Sequence, residues 1–168
     1  MSGWRIFAAF RNRICLKAGH RPTTFASSAA PCRRTILITS ATSSAIVDAS
    51  VFVDAVLDLR LAAVLARLDW HAPVTIDAEL VHALRRNWLV GRISDAQAAS
   101  AFEALRTRAI TRHPVEPLVQ RMWSLRRNIT AYDASYVALA ESLALPLITR
   151  DRRLAHSSGH AATIEYID

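Results

Sequence analysis

At 168 residues the chain is long enough for one domain with a substantial core. It is 52% hydrophobic, yet it has no apolar run of the ~18 residues that a membrane-spanning helix needs, which excludes such a helix. The net charge of +7 would point to a nucleic-acid partner if it were spread over the chain, but it is not. Arg5, Arg11, Arg13, Lys17, Arg21, Arg33 and Arg34 face no acid before Asp48, whereas from Asp48 onward 14 arginines face 14 acids. Attraction to RNA by the folded part therefore has to come from local patches such as Arg85-Arg86, Arg126-Arg127 or Arg150/Arg152/Arg153. Cys15 and Cys32 have no second Cys or His at metal-ligand spacing, which argues against a zinc site.

Residues 1–44 are basic, rich in Ser and Thr, and without a sustained period. This is the composition of an organelle transit peptide, or of a start site set too far upstream. The second reading is preferred, and both leave the segment outside the fold. Thr35 to Thr39 alone could pass for a strand. The domain is expected over 45–168. It opens with a short strand, Ala45 to Val47, that ends in Asp48, and Ser50 is placed to cap a helix over Val51 to Leu68. Phe52, Val56, Leu59, Ala63 and Ala66 form its expected inner side. Asp69 to Pro73 reads as a loop. Thr75 caps a helix over Ile76 to Leu89, with Ile76, Leu80, Ala83 and Leu84 inward and Gly91 ending it. Ser94 to Gln97 is a capping box that opens a third helix to Thr107. Ile110 to Val115 is a weak strand. Glu116 to Arg127 is a helix with Leu118, Met122 and Leu125 inward.

The richest stretch runs from Asn128 to Leu154. Thr130 is a good N-cap, and Asp133 can close a capping box with it. Tyr132, Tyr136, Leu139 and Leu143 recur at helical spacing, and Leu145 to Thr149 reads as a buried strand. From Asp133 to Leu143 a helix travels about 15 Å. The strand that follows travels back ~16 Å. The two legs cancel, so Asp133 and Asp151 are expected at the same edge of the sheet, where open α/β folds keep their sites. A short helix over Arg152 to Ala155 and a closing strand over Thr163 to Ile167 complete the chain. Strands alternating with helices argue an α/β fold, with a parallel sheet covered on both faces.

Asp48, Glu79, Asp133 and Asp151 are the candidate site. First-turn acids also complement a helix dipole, so Asp133 and Asp151 have a structural reading as well. Asp48 is harder to explain that way, because an acid ending an apolar strand is partly buried and the domain has no lysine to pair with it. Carboxylates gathered at one edge repel one another unless a cation neutralises them. Oxygen ligands without Cys or His suit Mg²⁺ or Mn²⁺. Such a site can activate water for in-line attack on a phosphodiester.

Four blocks in order carry a resemblance: Ile46-Val47-Asp48-Ala49-Ser50, Asp77 to Arg86 around Glu79, Thr130 to Ala140 around Asp133, and Thr149-Arg150-Asp151-Arg152-Arg153-Leu154. Together, over residues 45 to 168, they resemble the PIN domain and, more narrowly, the VapC toxins of bacterial toxin–antitoxin pairs. The resemblance implies a three-layer α/β/α fold with a short parallel sheet. It implies Mg²⁺ or Mn²⁺ held by Asp48, Glu79, Asp133 and Asp151, Ser50 as a hydroxyl near the metal, and cleavage of RNA. It also implies a small antitoxin partner, a homodimer and a bacterial cytoplasmic location. The N-terminal arm departs from the pattern. The alternative is a PIN-like domain used only for RNA binding or assembly.

Other readings fail on single residues. A receiver domain needs a lysine near its last strand. A haloacid-dehalogenase-type phosphatase needs an acid where Ser50 stands. Nucleotide binding needs a Gly-rich loop, which Gly3, Gly19, Gly91 and Gly159 do not make. His71, His82, His113 and His156 read as surface or packing residues with no Ser-His or Cys-His constellation. Trp70, Trp88 and Trp123 read as core or dimer-interface residues rather than RNA-stacking ones.

Overall fold

The computed structural model describes residues 44–167. The N-terminal arm and the expected strand at Thr35 to Thr39 lie outside the described residues, except for Ser44, which opens the first strand. The elements run β1 (Ser44–Val47), α1 (Ala49–Leu57), α2 (Leu59–Leu65), β2 (Asp69–Pro73), α3 (Ile76–Leu89), α4 (Asp95–Thr107), β3 (Ile110–His113), α5 (Val119–Ser124), α6 (Ala131–Leu143), β4 (Leu147–Thr149), α7 (Arg152–Ala155) and β5 (Ile164–Tyr166). The five strands are all parallel, in the order β3-β2-β1-β4-β5. The chain steps from β1 outward to β2 and β3, then crosses to the other side of β1 for β4 and β5. Right-handed crossovers place helices on opposite faces when the direction reverses. Accordingly α1 packs with α2, α3 and α4, while α6 packs with α5 and lies on β1, β2 and β4. This is the expected three-layer α/β/α architecture.

The sheet is covered on both sides, so its central strands are apolar throughout: Ala45, Ile46, Val47, Leu147 and Ile148 are all buried. On α6 every residue from Ala134 to Ala140 is buried, as in a helix enclosed nearly all round. Its ends differ from expectation: Tyr136 and Leu139 are buried, but Tyr132 and Leu143 are exposed. The helix closes on Ala144 in the left-handed region at φ 52°, ψ 37°.

Several expectations need correction. Asp69 to Pro73 is not a loop but β2, between β1 and β3. Its charged start and terminal proline hide a strand whose Trp70 and Ala72 are buried. The helix over Val51 to Leu68 breaks at Asp58, whose carboxylate accepts from the backbone N–H of Arg60 (2.8 Å) and Leu61 (3.3 Å) and starts α2. The break turns Leu61, Ala62 and Leu65 inward and leaves Leu59, Ala63 and Ala66 exposed. Ser50 is not the N-cap of α1, since Asp48 holds that position. Thr75 stands at the start of α3 without a side-chain capping bond. The Glu116 to Arg127 helix is a 3-10 turn over Glu116–Leu118 followed by the short α5. The strands β3, β4 and β5 are shorter than expected, whereas the capping box of Ser94 and Gln97 forms as read. Trp70 is core, edge-on to Phe52 at 5.8 Å, but Trp88 and Trp123 are exposed.

Candidate active site

The order β2-β1-β4 makes the C-terminal ends of β1 and β4 the point where the sheet's winding reverses, the place where open α/β sheets bind their ligands. Asp48 follows β1 and Asp151 lies two residues beyond β4; Val47 pairs with Ile148, and the Asp48 N–H donates to the Ile148 carbonyl at 3.1 Å. From one face α3 brings Glu79, and from the other α6 brings Asp133. The charges of Asp48 and Asp133 act on Glu79, and those of Asp48 and Asp151 act on Asp133. All four acids named from the sequence therefore converge on one edge.

Each aspartate commits one oxygen to hydrogen bonds within the protein. Asp48 Oδ2 accepts from the Ser50 hydroxyl and the Thr149 hydroxyl, both at 2.7 Å. These hydroxyls accept in turn from the N–H groups of Arg150 (3.2 Å) and Asp151 (3.0 Å), which ties the β4–α7 turn to β1 and α1. Asp133 Oδ2 accepts from the Thr130 hydroxyl at 2.7 Å, and Thr130 Oγ1 accepts from the Asp133 N–H at 3.2 Å. The expected capping box is thus only partly formed: the carboxylate binds the hydroxyl closely, while its contact with the Thr130 backbone lacks good hydrogen-bond geometry. Asp151 Oδ1 caps α7 through the N–H groups of Arg153 (2.7 Å) and Leu154 (3.4 Å). Among the described residues, Asp48 Oδ1 and Asp151 Oδ2 have no hydrogen-bond partner, and Asp133 Oδ1 has none of good geometry.

Glu79 is set deeper. Burial raises its pKa, and the charges of Asp48 and Asp133 add to this; Thr75 and Tyr136 face it and act the other way. Yet Glu79 Oε1, Thr75 Oγ1 and Tyr136 Oη are all buried without a hydrogen-bond partner of good geometry. Burial likewise raises Asp133, offset by Thr130 and reinforced by Asp48 and Asp151. Tyr136 is raised by burial and by the nearby charges of Glu79 and Asp48, so its phenol stays protonated. Among the described residues no three acidic, histidine or cysteine side chains stand close enough together to hold a metal ion as they are placed here. What the four acids offer is carboxylate oxygens left without hydrogen bonds, with Glu79 Oε1 buried among them. That donor chemistry fits a divalent cation that keeps part of its water.

Thr149, Thr75 and Tyr136 were not singled out from the sequence as site residues. Thr149 left a signal, a polar side chain closing an apolar strand two residues before an acid. The histidines keep the expected packing or surface roles. His71 and His113, on adjacent strands, meet with Nδ1 and Nε2 2.9 Å apart. Ser157 and His160 meet at 2.9 Å, but the Ser157 hydroxyl donates to the Leu154 carbonyl at 2.6 Å. It therefore accepts from the imidazole, the reverse of what an activated nucleophile needs.

Carboxylates gathered at the switch point of a short parallel sheet define an α/β domain with an acidic site at its sheet edge. A family model described as the PIN domain matches residues 45–159. The chain belongs to the PIN-domain family. It is similar to ribonuclease VapC1 of Mycobacterium tuberculosis strain H37Rv, 41% identical over 128 residues, which cover 73% of this chain and 96% of that one. Ribonuclease VapC12 of the same strain is 38% identical over 126 residues, covering 73% and 98%. Among solved structures, PAE2754 from Pyrobaculum aerophilum is 26% identical with a TM-score of 0.53, covering 68% of this chain and 84% of that one.

Proposed function

We propose that this chain is a metal-dependent ribonuclease of the VapC kind, the toxic component of a toxin–antitoxin pair. The observation that best supports the reading is the meeting of β1 and β4 at the switch point, with an aspartate just past each strand and one carboxylate arriving from each face. Similarity to proteins named ribonucleases over nearly their whole length points the same way. Asp48, Glu79, Asp133 and Asp151 would hold Mg²⁺ or Mn²⁺ through the oxygens that these hydrogen bonds leave free. When bound, such an ion supplies positive charge that acidifies water and stabilises the charge building on a phosphate.

The chain's own residues do the positioning. Ser50 and Thr149 pin one oxygen of Asp48, Thr130 pins Asp133, and the start of α7 pins Asp151. Side chains held in advance need no reorganisation during the reaction. Hydrolysis joins a water oxygen to phosphorus and releases a ribose oxygen, which leaves with a proton.

Two protein partners belong to this reading, a small antitoxin and a second copy of the chain. Exposed apolar side chains on consecutive helices support them, among them Leu59, Val81, Trp88, Leu89 and Phe102. The VapC1 and VapC12 relatives are bacterial, which supports a bacterial cytoplasmic place of action, and no described helix is long and apolar enough to cross a membrane.

The test is incubation of the full chain with labelled single-stranded RNA in Mg²⁺, Mn²⁺ or EDTA. Cleavage should require the cation and disappear in Asp48→Asn. RNA left intact under all conditions would overturn the reading. Expression alone should arrest growth, and a co-expressed antitoxin should relieve it.

A further inference from the structure

Arg150 stands inside the site's own turn, between Thr149 and Asp151. Its backbone N–H donates to Ser50 Oγ at 3.2 Å, and its side chain runs along α1 to Asp54, one turn beyond Ser50. There Nε lies 3.3 Å from Asp54 Oδ2, with the two side chains 28% and 30% exposed. No hydrogen bond joins them, and among the described residues the two Nη groups have no partner.

The other paired arginines behave differently. Arg112 grips Asp77 with two hydrogen bonds of 2.8 Å. Arg121 grips Glu141 with bonds of 2.7 and 2.8 Å. Arg108 donates to the carbonyls of Leu65 (3.0 Å) and Leu68 (2.7 Å). Those are structural ties that use the guanidinium fork. Arg150 leaves its fork without hydrogen bonds in the turn that carries Asp151, beside Asp48. Such a fork matches the geometry of a phosphate. Neighbouring carboxylates repel a polyanion, so a substrate approaching them gains from a cation beside them.

We propose that Arg150 is a substrate-contact residue: it binds a backbone phosphate of the RNA beside the scissile one, and Asp54 parks it in the free protein. The proposal rests on the nuclease reading above. On binding, the guanidinium exchanges one long contact with Asp54 for a forked contact with phosphate, and Asp54, already part-exposed, returns to water.

The test is fluorescence anisotropy of the full chain with a short labelled single-stranded RNA in EDTA across a salt series, together with KM for cleavage in Mn²⁺. Arg150→Gln should weaken binding and raise KM roughly three- to tenfold. The salt dependence should lose about 0.7 in log–log slope, the share of one phosphate contact on a single strand. Arg150→Lys should recover the slope but only part of the affinity. Asp54→Asn should tighten binding in the wild type, and that gain should vanish when Arg150→Gln is also present. Equal tightening by Asp54→Asn in both backgrounds would make Asp54 a mere negative charge and overturn the proposal. Unchanged Kd, KM and slope in Arg150→Gln would overturn it too, and a lower Tm alongside would make the pair a structural tie. A wild type that neither binds nor cuts RNA would instead bring down the nuclease reading itself.

Discussion

Thr149 donates its hydroxyl proton to Asp48 Oδ2 at 2.7 Å, across a separation of 101 residues. The same hydroxyl accepts from the Asp151 N–H at 3.0 Å. One buried side chain therefore sets the distance between the acids that follow β1 and β4. Thr149→Val keeps the shape but removes both bonds, and the metal-free protein should lose about 1–2 kcal/mol. The Tm increase on adding Mn²⁺ should shrink in Thr149→Val and survive in Thr149→Ser. An equal Mn²⁺ response in Thr149→Val would show that the hydroxyl does not position the site.

Glu79 predicts a pH dependence of stability. Burial and the neighbouring Asp48 and Asp133 charges raise its pKa above the usual 4.5, so the folded protein binds this proton more tightly than the unfolded chain. Its contribution is fully present below pH 4.5 and is lost as pH rises through the folded value. Asp133 acts in the same direction from its usual 3.8. In EDTA, Glu79→Gln should therefore be more stable than wild type at pH 7, and the difference should close as pH falls below 4.5. Urea unfolding from pH 4 to 8 measures this. A Glu79→Gln protein less stable than wild type at pH 7 would mean that its carboxylate is satisfied, not strained.

Asp133 separates ligand from cap. If it served only the start of α6, Asp133→Asn would cost at most about 1 kcal/mol and RNA cleavage would survive. As a ligand, its neutralisation should relieve repulsion among the acids and leave the metal-free protein at least as stable. Cleavage should then fall steeply, and Mn²⁺ should raise the Tm of the wild type more than that of the mutant. Wild-type cleavage by Asp133→Asn in Mg²⁺ would remove it from the site.

Ala144 offers a stability gain away from the chemistry. It ends α6 at φ 52°, ψ 37°, where a Cβ is strained and glycine is not. Ala144→Gly should stabilise by up to about 1 kcal/mol. That corresponds to a rise in Tm of about 4 °C by calorimetry. A lower Tm would show that the conformation costs less than the added unfolded-state freedom.

What the sequence determined by itself was local. Alternating apolar runs and capping residues marked α3, α4, α6 and α7 and the buried strands β1 and β4. Counting rise per residue placed Asp133 and Asp151 at one edge, because a helix and the strand returning beside it cover equal lengths. The four acids were legible for the same reason, since they stand at or near element ends. Tertiary structure alone decided which strands are neighbours. Nothing in Asp69 to Pro73 announces a strand, and its charged and proline-terminated residues form β2 only because β1 and β3 supply partners on both sides. The meeting of Thr149 with Asp48, the burial of Tyr136 while Tyr132 stays exposed, and the parking of Arg150 on Asp54 are likewise non-local. Periodicity reports which side of an element is apolar, but which distant side chain completes a polar group depends on strand order and register. Those are settled by the packing of the whole chain at once.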